Sequence, residues 1–259
     1  MPAPFAIELL GWKRSSKNKR GWAWVPNSAD VDNTESITLG AAVLDALGLP
    51  NPNLTAKAPD PLPPGSPGGP LEQAVCDHLE AELPHLDPAR QWVVQRGHSI
   101  VDFAQYQHLN GITQAIADNP NLRVTLGTDY LIKPDVTVGL LGTPTLTEHP
   151  WLHAAVACKW TIRSDRVQNI RHENSNMIRH RRGRLPHLAT VTAEPLPTRL
   201  ASIARGTGEV DVTYHVAYDE LDAAVAASHN RGQQDAWAEV TGQGRLRDYN
   251  VIAHALVDW

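Results

Sequence analysis

Apolar residues recur on two periods along this chain, and the alternation between those periods indicates its architecture. Leu71, Val75, Leu79 and Leu83 fall about one helical turn apart in LEQAVCDHLEAEL (71–83). ITLGAAVLDALG (37–48) reads as a second helix, closed by Gly48. Helical patterns also cover the regions around 101–118, 165–180 and 219–228. Between them stand short strand-like runs: WVV (92–94), LRVTL (122–126), KPDVTVGLL (133–141), AAVACKWTI (154–162), LATVTAE (188–194) and VDVTYHV (210–216). That order predicts an α/β (α+β) fold, a mixed β-sheet flanked by helices. NPNLTAKAPDPLPPGSPGGP (51–70) is too rich in Pro and Gly for regular structure and is predicted as a loop.

Composition narrows the class. With 259 residues, 42% of them hydrophobic, the chain can bury a sizeable core, and a single domain over 1–259 is expected. No apolar run approaches the roughly 20 residues that would span a bilayer. The apolar stretch near the N-terminus precedes a basic cluster, the reverse of a secretory signal, so a cytoplasmic protein is expected. Cys76 and Cys158 form no metal-ligand spacing, and the histidines form no HExxH or Cys/His zinc pattern. Trp22, Trp24 and Trp160 lie in strand-like surroundings and are expected in the core.

Charge changes the picture by its distribution. The net charge of −5 argues against a nucleic-acid partner. Lys13, Arg14, Lys17, Lys19 and Arg20, however, fall together with no intervening acid. Arg163, Arg166, Arg171, Arg179, Arg181, Arg182 and Arg184 form a second basic stretch. Screening makes a polyanion respond to the local field, so two such stripes suit a nucleic-acid groove. Solvated surface charge would give the same pattern.

Candidate chemistry sits in the central strands. Asp135 and Lys159 belong to successive strand-like runs and can face one point. Carboxylates that hold Mg²⁺ beside a lysine that orients water are what phosphodiester hydrolysis needs. Downstream, Ser164 or Asp165 is a plausible N-cap for a helix with Arg166, Asn169 and Glu173 on one face. Val167, Ile170 and Ile178 would pack against the sheet. Arginine and aspartate at a helix start match guanine and cytosine edges in the major groove. A surface helix with a capping Asp165 fits the same spacing.

CKWTIRSDRVQN, with KPD before it and Glu173 beyond, resembles the NgoMIV group of type II restriction endonucleases. RGWAWVPNSADVDNT, PGGPLEQAVC, GTDYLIKPD, GRLPHLATVTAEPLPTR and ARGTGEVD extend the likeness, in order, from about residue 18 to 220. The last forty residues match poorly. The resemblance implies a restriction-endonuclease-like core of the PD-(D/E)XK type and Mg²⁺-dependent cutting of double-stranded DNA at a CCGG-centred palindrome. It implies Asp135, Lys159, Glu173 and Glu72 as the catalytic set, with Asp135, Glu173 and Glu72 as metal ligands. Ala157 stands where the family has a serine. Arg163, Asp165 and Arg166 match the readers of the inner CCGG. Asp30 and Arg199 match the readers of an outer G·C pair, giving GCCGGC cut after its first G with a four-base 5′ overhang. An Asx turn would also explain Asp30, and a phosphate contact Arg199. The stretch between Asp135 and Lys159 is about half the family's length and lacks the part that joins dimers into a tetramer, so a homodimer is expected. Two rivals stand beside this reading: a DNA-binding protein of the same fold without cleavage, and a repair or transposase-type nuclease.

Overall fold

In the computed structural model, residues 1–119, 121–122, 130–142 and 148–259 are described. The central element is a six-stranded sheet. Its strands, in spatial and chain order, are β3 (Trp92–Arg96), β4 (Val136–Leu140), β5 (Trp151–Lys159), β6 (His187–Thr192), β7 (Val212–His215) and β8 (Leu246–Asp248). β4 runs antiparallel to both its neighbours, β3 and β5, and β5 through β8 run parallel. A small antiparallel pair, β1 (Trp12–Arg14) and β2 (Trp24–Pro26), lies outside this sheet. The expected mixed sheet with flanking helices is therefore observed.

β5 explains the sheet's sequence pattern. Ala154, Val156 and Cys158 join the main core, whereas Ala155 and Ala157 pack into clusters on the other face. Both faces are covered, so β5 reads as an almost unbroken apolar run. Its register against β4 shifts between Val138 and Gly139, leaving His153 as the extra residue of a bulge. A Cβ at Gly139 would stand 3.0 Å from the Phe103 ring, so a larger residue there needs that ring to give way.

The main face is covered by α4 (Gly68–Leu86), whose Leu71, Val75, Cys76, Leu79 and Leu83 are buried across β3, β4 and β5. Full burial of a leucine such as Leu79 stabilises by roughly 1.5–3 kcal/mol. The opposite face carries α6 (Ser164–His180), with Val167, Ile170 and Met177 buried and Ile178 partly so. Before α4 in the chain come α1 (Ala6–Leu9), α2 (Thr34–Ala46) and α3 (Pro52–Thr55), and α5 (Asn110–Asp118) lies between α4 and α6; after α6 come α7 (Pro197–Ala204), α8 (Tyr218–Ala227), α9 (Arg231–Gly242) and α10 (Ile252–Asp258).

Several boundaries differ from expectation. α2 starts at Thr34 because the Asn33 side chain accepts the Ser36 N–H and caps it there. It ends as expected: Gly48 at φ +73° donates to Asp45, and Leu49 donates to Leu44, a Schellman closure. The 51–70 loop contains the short α3, set by Asn51 and Pro52 at its start, and the following helix begins at Gly68. Only two 3₁₀ turns occupy 100–109 before α5. β5 begins three residues early and releases the chain after Lys159, so 160–162 are not strand. The strand expected over 122–126 lies, except for Leu122, outside the described residues. Trp160 is buried as expected, but Trp22 and Trp24 are only half-buried. Cys76 and Cys158 are buried free thiols, and no helix among the described residues is long and apolar enough to cross a membrane.

Candidate active site

Two antiparallel strands bring the central pair together. Asp135 immediately precedes β4, whose Val136 pairs with Val156, and Lys159 ends β5. Lys159 Nζ donates to Asp135 Oδ2 at 2.7 Å, and the Cys158 N–H donates to the same oxygen at 2.7 Å. Both side chains keep partial contact with solvent, 28% for Lys159 and 20% for Asp135. The Ala193 N–H and Thr192 Oγ1 both donate to the Trp160 carbonyl, which holds the chain where it leaves the sheet.

The other two acids arrive from helices. Glu72 lies near the start of α4 and accepts from Arg96 Nη2 at 2.8 Å, where Arg96 ends β3. Glu173 lies on the third turn of α6. Desolvation by the surrounding protein raises its pKa; the Lys159 charge works against that shift, and the Asp135 charge adds to it. Glu72 and Asp135 both act electrostatically on the Cys158 thiol, whose pKa is raised chiefly by complete burial. Glu173 is thus within electrostatic range of Asp135 and Lys159, and Glu72 within range of Cys158 at the end of β5.

Among the described residues, no three acidic, His or Cys side chains form a ready-made metal cluster. That arrangement still fits magnesium, which usually takes one or two carboxylates together with water and phosphate oxygens. Hard carboxylates are present, two of them balanced by Lys159 and Arg96.

A hollow of about 820 Å³ opens over this site, lined by Glu72, Lys159, Arg163, Asp165, Lys13 and Arg14 among others. A neighbouring hollow of about 680 Å³ is lined by Asp30, Arg163, Asp165 and Arg199. Arg163 and Asp165 border both. Their side chains are exposed and make no hydrogen bond or ion pair with the described residues. Arg166 instead donates through Nη1 to Thr161 O and Oγ1, at 2.7 and 2.8 Å. The N-cap of α6 is Arg163, in extended conformation and without a side-chain cap, rather than Ser164 or Asp165. The helix starts one residue early because buried Ile162, held by Glu194, fixes the exit from the sheet. Of the basic run over 13–20, Lys13 and Arg14 line the larger hollow, whereas Arg20 stacks on Trp22 and bonds Thr38.

Asp30 and Arg199 meet directly, Arg199 Nη2 donating to Asp30 Oδ2. Asp30 also forms the Asx turn, Oδ1 accepting from the Asp32 N–H at 3.0 Å. Burial opposes the Asp30 charge, but the Arg199 bond, the Asp32 amide and the Arg163 charge outweigh it and lower its pKa.

The chain matches the model of the NgoMIV restriction enzyme family over residues 13–141 and 143–256. It is 34% identical over 275 aligned positions to the type II restriction enzyme NgoMIV of Neisseria gonorrhoeae, covering 94% of this chain and 93% of that one. The chain belongs to the NgoMIV restriction enzyme family. It is accordingly a restriction endonuclease of type II. The family match reaches residue 256, which corrects the expectation that likeness fades after 220. α9, β8 and α10 account for this, since Trp237, Val240, Leu246, Tyr249, Ile252 and Leu256 all enter the main core. Two residues of this family member carry no sequence signal of their role. Arg96, which holds Glu72, gives none because its partner is 24 positions away. Glu194, buried behind Arg199, is visible only as a strand-end acid.

Proposed function

We propose that this enzyme cuts both strands of DNA at GCCGGC, after the first G, leaving a four-base 5′ overhang. The observation carrying this reading is that Arg163 and Asp165 border both hollows, one over the Asp135–Lys159 pair and one beside the Asp30–Arg199 pair. An arginine fork suits guanine O6 and N7, and an aspartate suits cytosine N4. On this reading Arg163, Asp165 and Arg166 read the inner CCGG, and Asp30 and Arg199 read the outer pair.

For the chemistry, Asp135, Glu173 and Glu72 would hold Mg²⁺, which supplies charge neutralisation at the phosphate and a more acidic water. Lys159 holds and aims the Asp135 carboxylate, its Nζ donating to Oδ2 at 2.7 Å. Its ammonium also stands where negative charge grows as water attacks. The products are a 5′-phosphate and a 3′-hydroxyl. Ala157 offers no hydroxyl beside these groups, so Asp135 relies on the Cys158 amide and Lys159.

A palindrome invites a two-fold symmetric reader, which supports a homodimer with one active site per strand. The short connection from Asp135 to Lys159 supports a dimer over a tetramer. The whole chain, 1–259, acts as one nuclease domain, and a DNA substrate is consistent with cytoplasmic work.

The test is a duplex carrying one GCCGGC. With Mg²⁺ it should yield two fragments, and with EDTA it should stay whole; specific binding without cleavage in Mg²⁺ would favour the non-cleaving rival. Arg14→Ala should weaken binding to cognate and random duplexes alike and reduce the slope of log K against log salt by about 0.9. Filter binding across a salt series measures this; a loss confined to the cognate duplex would make Arg14 a base reader.

A further inference from the structure

Glu194 is the one fully buried acid among the described residues, its side chain having no solvent exposure. It lies just after β6, two residues beyond Thr192, the register partner of Lys159. Its carboxylate meets two segments of chain at once. Oε2 accepts from the Ile162 N–H at 2.8 Å, and Ile162 is the buried residue immediately before Arg163. Oε1 accepts from the Leu196 N–H at 3.2 Å, and Leu196 caps α7, which carries Arg199. Arg199 Nη1 stands 3.8 Å from Oε2 and is buried with no hydrogen-bond partner, while Nη2 holds Asp30. A buried carboxylate is costly unless it is paired and hydrogen-bonded, so its presence at this junction calls for a use.

We propose that Glu194 is a positioning residue for sequence reading: it ties the Arg199 guanidinium to the strand–helix junction at Ile162 and so fixes the fork that reads the outer pair. The inference rests on the assignment of Arg199 to the outer pair. With its charge, Glu194 restrains one end of the guanidinium while Asp30 holds the other, so the fork cannot turn toward a wrong base. Without it, Arg199 keeps Asp30 alone.

The surroundings of Glu194 set when that restraint operates. Desolvation pushes its pKa up to about 7, opposed by the Ile162 amide, Arg199 and the Leu196 amide, and helped slightly by Asp30. His215 also faces it, with Nε2 3.2 Å from the Glu194 carbonyl; burial lowers its pKa to about 4, so it stays neutral near pH 7. Thr192 Oγ1 accepts the Glu194 N–H and carries no charge. Glu194 therefore gains its charge as pH rises through neutrality, and its hold on Arg199 tightens in that direction.

The experiment compares kcat/KM on GCCGGC, on a duplex with the outer pair changed and on one with an inner pair changed, from about pH 6 to about pH 8.5. Ratios at each pH cancel the pH dependence of cleavage itself. For the wild type, preference for the correct outer pair should rise about tenfold across this range, a change within what one bidentate base contact is worth. Glu194→Gln, of the same shape without the charge, should show a low and flat outer-pair preference, with inner-pair preference as in the wild type. Thermal unfolding verifies that the variant is folded. A folded Glu194→Gln enzyme with wild-type outer-pair preference overturns the proposal. If the variant does not fold, the wild-type profile decides, and a flat outer-pair preference overturns it. A wild type indifferent to the outer pair overturns the Arg199 assignment, and the role of Glu194 with it.

Discussion

Lys159→Ala is expected to slow cleavage of a GCCGGC duplex by about 100- to 1,000-fold, the usual effect of losing one group that stabilises transition-state charge. The ammonium is the only side-chain partner of Asp135 among the described residues, at 2.7 Å. On the proposed mechanism its loss removes positive charge beside the scissile phosphate, and it leaves Asp135 held by the Cys158 amide alone. The fold should survive, because Lys159 is partly exposed and ends its strand. Affinity for uncut duplex in the absence of metal should therefore stay within severalfold of wild type. Single-turnover cleavage and gel shifts on the same samples measure both quantities. Equal losses of binding and cleavage would assign Lys159 a structural role, and an unchanged rate would remove it from the chemistry.

The second large effect concerns specificity. Arg199→Ala should reduce the preference for GCCGGC over sites with another outer pair by about 1–3 kcal/mol, the discrimination typical of one bidentate base contact. Preference within CCGG should be unchanged, since Arg163 and Asp165 do not depend on Arg199 for any hydrogen bond. Removing the guanidinium also takes the nearest cation from Glu194 and the ion-pair partner from Asp30. Glu194 can answer by staying protonated, because burial already pushes its pKa to about 7. Asp30 should titrate at higher pH than in the wild type, since the Arg199 bond is the strongest of the contacts that lower its pKa. Competitive digestion of mixed duplexes reads the specificity change. An unaltered ratio would return Arg199 to the backbone-phosphate role.

Much of this architecture is legible in the sequence because both faces of the sheet are apolar. β4, β5, β6 and β7 announce themselves as β-rich runs, and α4 and α6 by their helical spacing. The C-terminal elements are hidden for physical reasons. α9 carries RGQQDAWAEVTG, with only a few apolar residues to bury, and β8 is three residues long. Their stability comes from Trp237, Val240 and Leu246 packing into the main core, which no local pattern reveals. The site is legible in part. Asp135 and Lys159 lie on adjacent strands, so their meeting follows from sheet order. Glu173 follows from helix periodicity once α6 is in place. Glu72, Arg199 and Asp30 can be singled out only by family likeness, because their neighbours are distant in sequence. The Asp30–Arg199 ion pair spans 169 positions. Arg166, expected among the readers of the inner CCGG, bonds Thr161 O and Oγ1, a local contact that helix geometry alone does not specify.

The most direct test of the central claim is to digest a plasmid that carries CCGG in every outer context with the wild-type enzyme and Mg²⁺, then sequence the ends. Recognition of the full six base pairs predicts that every end maps between G and C of GCCGGC, with a four-base 5′ overhang. Ends without a common sequence, or a plasmid that is bound yet remains intact, would contradict it.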